Sequence, residues 1–167
     1  MREIEVKFKI KNYNIVRDRV RASGAKFWGK FKQSDVFYDT KENKLKSEKS
    51  ILRLRKSNSK TFLTYKDDLV INKKFREARE IEIQIDSFKK TEIILKLLGL
   101  NRVFHFIKYR ETWKQGNVEI NLDKIKDLGN FLELEGPKLD IDQIIKRLRL
   151  EKLKRITKHY GQLLEKF

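Results

Sequence analysis

Charges of one sign recur two positions apart along stretches that alternate like β-strands, and this pattern constrains the fold more than any other feature of the chain. The first instance opens the sequence, in Arg2-Glu3-Ile4-Glu5-Val6-Lys7-Phe8-Lys9-Ile10. Successive side chains of a strand point to opposite faces, so Glu3, Glu5, Lys7 and Lys9 share one face and Ile4, Val6, Phe8 and Ile10 the other. Glu80/Glu82 and Glu133/Glu135 repeat the acidic pair, and Arg53/Arg55 and Lys108/Arg110 are its basic counterpart. Two carboxylates at that spacing stand roughly 6.5–7 Å apart. They repel by about 2–3 kcal/mol at an effective dielectric of about 20. Any antiparallel sheet with one wet face alternates apolar and polar residues, but an ordinary wet face mixes signs to avoid that cost. The repetition implies that opposite charge is expected at these faces: a metal cation for the acids, a polyanion for the bases.

Composition narrows the partners. The 167 residues suit one domain with a real core, and a formal net charge of +17 points to an anionic partner. Charged residues make up 39% of the chain, well above the usual quarter. The absence of cysteine excludes disulfides and thiolate metal sites. No apolar run approaches membrane-spanning length and the N-terminus enters a strand pattern directly, so no membrane span or signal peptide is expected and the cytoplasm is the expected compartment.

Strand patterns cover residues 2–10, 33–38, 51–57, 60–66, 76–86, 102–114, 117–123 and 130–135, with hairpin turns at Ser57-Asn58-Ser59 and Gln115-Gly116-Asn117. Helical periodicity is read at 12–23, between Asn12 as cap and Gly24 as stop, and at 87–98, between Ser87 and Gly99. After Pro137 the chain is expected to be helical from about Asp140 to its end, with a break near Leu150 or Glu151. The expected architecture is α+β: a closed antiparallel eight-stranded β-barrel, or tunnel, formed within residues 1–136, with peripheral helices including those of 137–167. Eight strands leave an interior wide enough for packed side chains or one small ligand. With the charged faces inward, the apolar faces (Ile4/Val6/Phe8, Ile81/Ile83/Ile85, Ile120/Leu122, Leu132/Leu134) point outward and need covering by helices. Ile15/Val16/Val20 and Ile141/Ile144/Ile145/Leu148 are matching stripes.

Several blocks carry a family resemblance. They are Glu3-Ile4-Glu5-Val6-Lys7, Gln33-Ser34-Asp35-Val36-Phe37-Tyr38, Leu52-Arg53-Leu54-Arg55, Thr64-Tyr65-Lys66, Arg79-Glu80-Ile81-Glu82, Lys108-Tyr109-Arg110, Asn121-Leu122-Asp123 and Leu128 to Glu135. Their order resembles the CYTH family, the triphosphate tunnel metalloenzymes that include class IV adenylyl cyclases and thiamine triphosphatases. The first block matches the family's ExExK. The phrasing of Gln33–Tyr38 and Leu128–Glu135 is most similar to the cyclase branch. His159-Tyr160-Gly161 departs from it, standing where that branch has a Ser-Tyr-Ser-like segment.

The resemblance implies a metal-dependent enzyme acting on a triphosphate such as ATP, inorganic triphosphate or thiamine triphosphate. Glu3, Glu5 and Glu133, with Glu135 close by, would hold Mg²⁺ or Mn²⁺, ions suited by hard carboxylate oxygens. Lys7, Arg53, Arg55, Lys66, Lys108 and Arg110 would grip the triphosphate. Glu3, Glu5, Lys7 and Glu133 form the expected catalytic set. Glu80, Glu82 and Asp123 either bind a second metal or orient the cations. A homodimer is compatible with this reading. A basic RNA-binding module, resting on Lys146, Arg147, Arg149, Lys152, Lys154 and Arg155, leaves the paired carboxylates unexplained, because they would repel a phosphate backbone. His105, in Phe104-His105-Phe106, is expected in core or edge packing. No GxxxxGK[ST], HExxH or GxSxG is present.

Overall fold

The computed structural model describes residues 2–164. Its eight long strands are β1 (Arg2–Ile10), β2 (Lys26–Asp39), β3 (Ser50–Ser57), β4 (Lys60–Ile71), β5 (Arg76–Ile85), β6 (Asn101–Gln115), β7 (Val118–Ile125) and β8 (Gly129–Glu135). They hydrogen-bond in the order β5-β4-β3-β2-β6-β7-β8-β1, and β1 pairs back onto β5 to close a barrel. The closing seam is short, running from Arg2 opposite Arg79 to Glu5 opposite Arg76. Beyond it a two-residue strand, β9 (Arg155–Ile156), takes over the edge of β1 at Lys7 and Phe8.

The barrel is inverted, as its alternation requires. Val6, Phe8, Ile120, Leu122, Leu132 and Leu134 face outward and are completely buried. Helices α1 (Tyr13–Ala22) and α4 (Lys138–Arg147) cover them with Val16, Val20, Ile141, Ile144 and Ile145. A third helix, α3 (Phe88–Leu97), seats Leu95 among Val36, Tyr38 and Leu54 on the opposite wall. Asn12 caps α1 by accepting the Ile15 amide, and Ser87 caps α3 by accepting that of Lys90. At the ends of these helices Gly24 and Gly99 take φ values of +88° and +82°.

Three expectations are corrected. Only Ile85 of the β5 trio joins the cluster under α3; Ile81 and Ile83 lie outside it and stay about half exposed. The helix from Asp140 does break near Leu150, but the chain does not resume as a long helix up to Leu164, and residues 165–167 of that expectation lie outside the described residues. Arg149 adopts φ +56° and closes α4, and the following segment forms β9 and a single turn, α5 (Tyr160–Leu163). His105 is no core residue: it is exposed on the outer wall of β6, where its Nε2 meets the Ser34 hydroxyl at 2.9 Å. A short helix, α2 (Lys44–Ser47), had no periodic signal because four residues cannot make an amphipathic stripe. Among the described residues, no helix is long and apolar enough to cross a membrane.

Gly136, just after β8, has φ +151°, and a Cβ there would stand 2.6 Å from the Asn117 carbonyl oxygen. Gly136→Ala is expected to cost about 2–3 kcal/mol, read as a lower denaturant midpoint. An unchanged midpoint would show that the β7–β8 end of the barrel yields easily.

Candidate active site

Strand direction sets the layout of the interior. One mouth is formed where β1, β2, β4 and β7 begin and β3, β5, β6 and β8 end. The other end is stopped by an apolar plug of Phe37, Ile51, Phe106, Ile125, Phe131 and Tyr160. Between them lies a cavity of about 350 Å³.

Acids dominate one wall. Cross-strand register sets Glu5 beside Glu135 and Glu135 beside Glu119, a row of like charges that would be unfavourable on an ordinary sheet. One layer deeper, Lys7 lies opposite Glu133 and donates to Glu5 at 2.6 Å, with Glu133 at 3.1 Å. Arg76 also pairs with Glu5, at 3.1 Å. Burial favours the neutral acid, but Lys7 and Arg76 override it and hold Glu5 down at about 2. Glu133 is likewise held well below the usual range, its burial outweighed by Lys7 and Arg110. Glu3 and Glu135 go the other way. Burial pushes Glu3 up to about 7, against the pull of Lys66 and with repulsion from Glu5 and Glu80. Burial and the nearness of Glu3 push Glu135 up to about 8.

Bases dominate the facing wall, each anchored by a carboxylate. Asp35 accepts both Nε and Nη2 of Arg55, at 2.6 and 2.7 Å, and lies 3.7 Å from Arg53. Arg53 also reaches Glu82 at 3.5 Å, and Lys66 bridges Glu3 and Glu80 at 2.6 Å each. Asp123 accepts Arg110 through both oxygens, at 2.6 and 2.5 Å, and has Lys108 at 3.5 Å. Arg110 reaches Glu133 as well, at 2.8 Å. Two of these cations are shifted down: Arg53, by burial and then by Arg55, and Lys108. Burial, then Arg110, pushes Lys108 down to about 7 despite Asp123, whereas Lys7, Lys66 and Arg55 are shifted upward by the acids they touch, against burial.

The fold therefore brings every predicted site residue except Asp123 to the lining of one cavity, and Asp123 lies directly behind, completely buried. Its oxygens accept both nitrogens of the Arg110 fork and face Lys108. Glu80 and Glu82 are also engaged with Lys66 and with Arg53 and Thr64. Reading same-sign pairs passed over Asp35, Arg76 and Glu119, which line the cavity singly or in mixed company. Strand parity would have found them: Asp35 shares a face with Gln33, Arg76 with Glu80, and Glu119 with Asn121 and Asp123. It also passed over the aromatic residues of the mouth, Trp28, Phe31 and Phe62.

Eight acidic and seven basic side chains line the cavity, so the interior holds almost no net charge even though the chain carries +17. An anion gains only if something else engages the acids. The donor set fits a hard divalent cation: carboxylate oxygens in surplus, two of them on groups that burial and crowding keep from ionising freely. Among the described residues, no three acids already converge as a cage; Glu5 and Glu133 are turned to their lysine and arginine partners.

The CYTH domain model matches residues 1–162. The chain belongs to the CYTH family. It is 32% identical to a Methanocaldococcus jannaschii protein provisionally named an adenylate cyclase, the match covering 98% of each chain. The PH1012 protein of Pyrococcus horikoshii has the same fold, with a TM-score of 0.83 and 28% identity over 96% of this chain and 98% of that one. A Hippeastrum protein, provisionally named an adenylyl cyclase and described as having a dominant triphosphatase activity, matches at TM-score 0.78 over 98% and 95% of the chains. At 16% identity it shares the fold alone.

The position of Lys108 gives a pH test. Its folded value lies below the ordinary one, so above about pH 7 it is largely neutral, and an anion beside it restores the charge by drawing in a proton. Calorimetry of inorganic tripolyphosphate binding to the Mg²⁺-saturated protein at about pH 8.5, in buffers of different ionisation enthalpy, should show proton uptake that Lys108→Met reduces. Equal uptake in both proteins would remove Lys108 from contact with the anion.

Proposed function

We propose that this CYTH protein is a divalent-metal-dependent adenylyl cyclase, converting ATP to cyclic AMP and pyrophosphate. The observation that carries the reading is one cavity in which a basic wall (Arg53, Arg55, Lys108, Arg110) faces an acidic wall (Glu3, Glu5, Glu133, Glu135) below an aromatic mouth. The basic wall suits a triphosphate, with arginine forks on phosphate oxygens and Lys7, Lys66 and Lys108 as point charges. Trp28, Phe31 and Phe62 offer apolar faces on which a nucleobase can stack, which inorganic triphosphate would not need.

Mg²⁺ or Mn²⁺ bound by Glu3, Glu5 and Glu133, with Glu135 beside them, would supply charge neutralisation and a lower pKa for a coordinated hydroxyl. The chain's own part is positioning. Asp35 locks the Arg55 fork and Asp123 the Arg110 fork, so both are fixed before the anion arrives. In cyclisation the ribose 3′-hydroxyl gives up its proton, to water or the departing pyrophosphate, and its oxygen bonds to the α-phosphorus while the bond from that phosphorus to the α–β bridging oxygen breaks and pyrophosphate leaves. Lys7, between Glu5 and Glu133, is set to move from a carboxylate to a phosphate oxygen once the acids find another cation. A cytoplasmic location, where ATP is available, goes with this reading.

A second reading, hydrolysis of the terminal phosphate, has one observation in its favour. Trp28 is 66% exposed, leaving the mouth open to water that competes with the ribose hydroxyl.

Incubation with ATP and Mn²⁺, followed by chromatography, separates the two. Cyclic AMP with pyrophosphate supports cyclisation; ADP with orthophosphate and no cyclic product supports hydrolysis, and no product with any triphosphate overturns both. Glu5→Gln is expected to lower turnover by about a hundredfold or more while triphosphate binding partly survives. Arg55→Ala should weaken binding itself. Unimpaired turnover in Glu5→Gln would take Glu5 out of the metal site.

A further inference from the structure

The chain past α4 contributes one side chain to the interior that touches the anion-binding cations from behind. Tyr160, only 5% exposed, donates its hydroxyl hydrogen to Asp123 Oδ2 at 2.8 Å. The same carboxylate holds the Arg110 fork and faces Lys108. The Tyr160 ring lies 5.1 Å from the Lys108 ammonium and 5.4 Å from that of Lys7, with Phe106 and Phe131 against it edge-on. One residue thus meets Lys7 and Lys108 directly and Arg110 through Asp123.

Side chains hold this segment more than its backbone does: Arg155 donates to Asp142 at 2.7 Å and lies over the Phe75 ring, and Ile156, Leu163 and Leu164 pack against the apolar plug. Its backbone joins the sheet only through the two residues of β9, and α5 is a single turn. A second cavity of about 200 Å³ lies beside it, bounded by Lys46, Lys49, Asp68, His159 and Gln162. His159 and Ile51 border both cavities, so one side of the segment faces open space and not a filled core.

We infer that Tyr160 is a positioning residue for the triphosphate grip, and that docking of residues 155–164 and binding of the anion reinforce one another. The inference rests on the reading of the tunnel as a triphosphate site. Its physical basis is a shared network. The hydroxyl takes up one lone pair of Asp123, so the carboxylate holds the Arg110 fork without drawing Lys108 fully onto itself. The ring face stabilises the two ammonium groups that an arriving phosphate needs charged. Binding free energies linked through common groups are reciprocal: whatever the docked segment adds to anion affinity, the anion adds to docking.

Tyr160→Phe removes the hydroxyl and keeps the ring, so the apolar plug is preserved. Two measurements on the full chain, both in Mn²⁺, test the inference: calorimetric affinity for inorganic tripolyphosphate, and hydrogen exchange of residues 155–164 with and without that anion. Wild type should bind the anion, and binding should slow exchange across the segment. In Tyr160→Phe the affinity should fall about tenfold, a charge-assisted hydrogen bond lost, and the anion-induced slowing should shrink by a similar factor. Leu163→Ala loosens the segment without touching the network, and it should lose anion affinity in proportion to its faster exchange. Equal affinity in wild type and Tyr160→Phe, or exchange that ignores the anion, overturns the inference while leaving the site intact. Failure of wild type to bind tripolyphosphate with Mn²⁺ present overturns the reading of the site as well.

Discussion

Burying charge is the constraint on which the rest of this structure depends. Moving an ion out of water costs several kcal/mol even after relaxation, and the cost is met only where a partner and further hydrogen bonds meet it. Here seven cations and eight acids line one cavity, and the ion pairs described above satisfy nearly all of them. The barrel has to close because an open sheet would let water replace those partners. The helices have to sit outside because the strands spend their inward positions on charge, leaving Val6, Phe8, Ile120 and Leu132 to form the core on the outer surface. Fold and site are one feature in this chain.

The near balance of charge also shapes how the site can work. A tunnel full of unpaired arginines would be unstable empty, whereas one of paired arginines binds an anion only if its acids gain another partner. Glu3 and Glu135, pushed up to about 7 and about 8 by burial and crowding, are where that partner is wanted. A divalent cation and a polyphosphate then become conditions for each other, because each releases the side chains the other needs.

Much of this was legible in the sequence because strand parity is strict. Once Glu3 and Glu5 face inward, Val6 and Phe8 must face outward, and the same logic placed Arg53/Arg55, Lys108/Arg110 and Glu133/Glu135 around the tunnel. Less legible was anything outside a same-sign pair. Asp35 and Arg76 are as buried as the predicted residues, but within their strands no residue two positions away carries the same sign, so they form no repulsive pair. The last residues resisted for another reason. Their helix-like periodicity is real up to Leu148, but the positive φ of Arg149 turns the chain back to the barrel, where the exposed edge of β1 next to Lys7 takes up β9. That edge exists only because β5 stops short, a tertiary fact without a local signature. The uncovered Ile81 and Ile83 are of the same kind: the strand pattern predicts an apolar outer face, but not how far α3 extends over it.

The most direct test is a thermal unfolding experiment with Mn²⁺ alone, inorganic tripolyphosphate alone, and both together. Anything that binds only the folded state raises its unfolding temperature. If the acids and bases are partners awaiting replacement, the two ligands together should raise the midpoint by clearly more than their separate shifts combined. Glu5→Gln should lose that excess. Shifts that merely add, or a polyphosphate effect indifferent to the metal, would contradict the account.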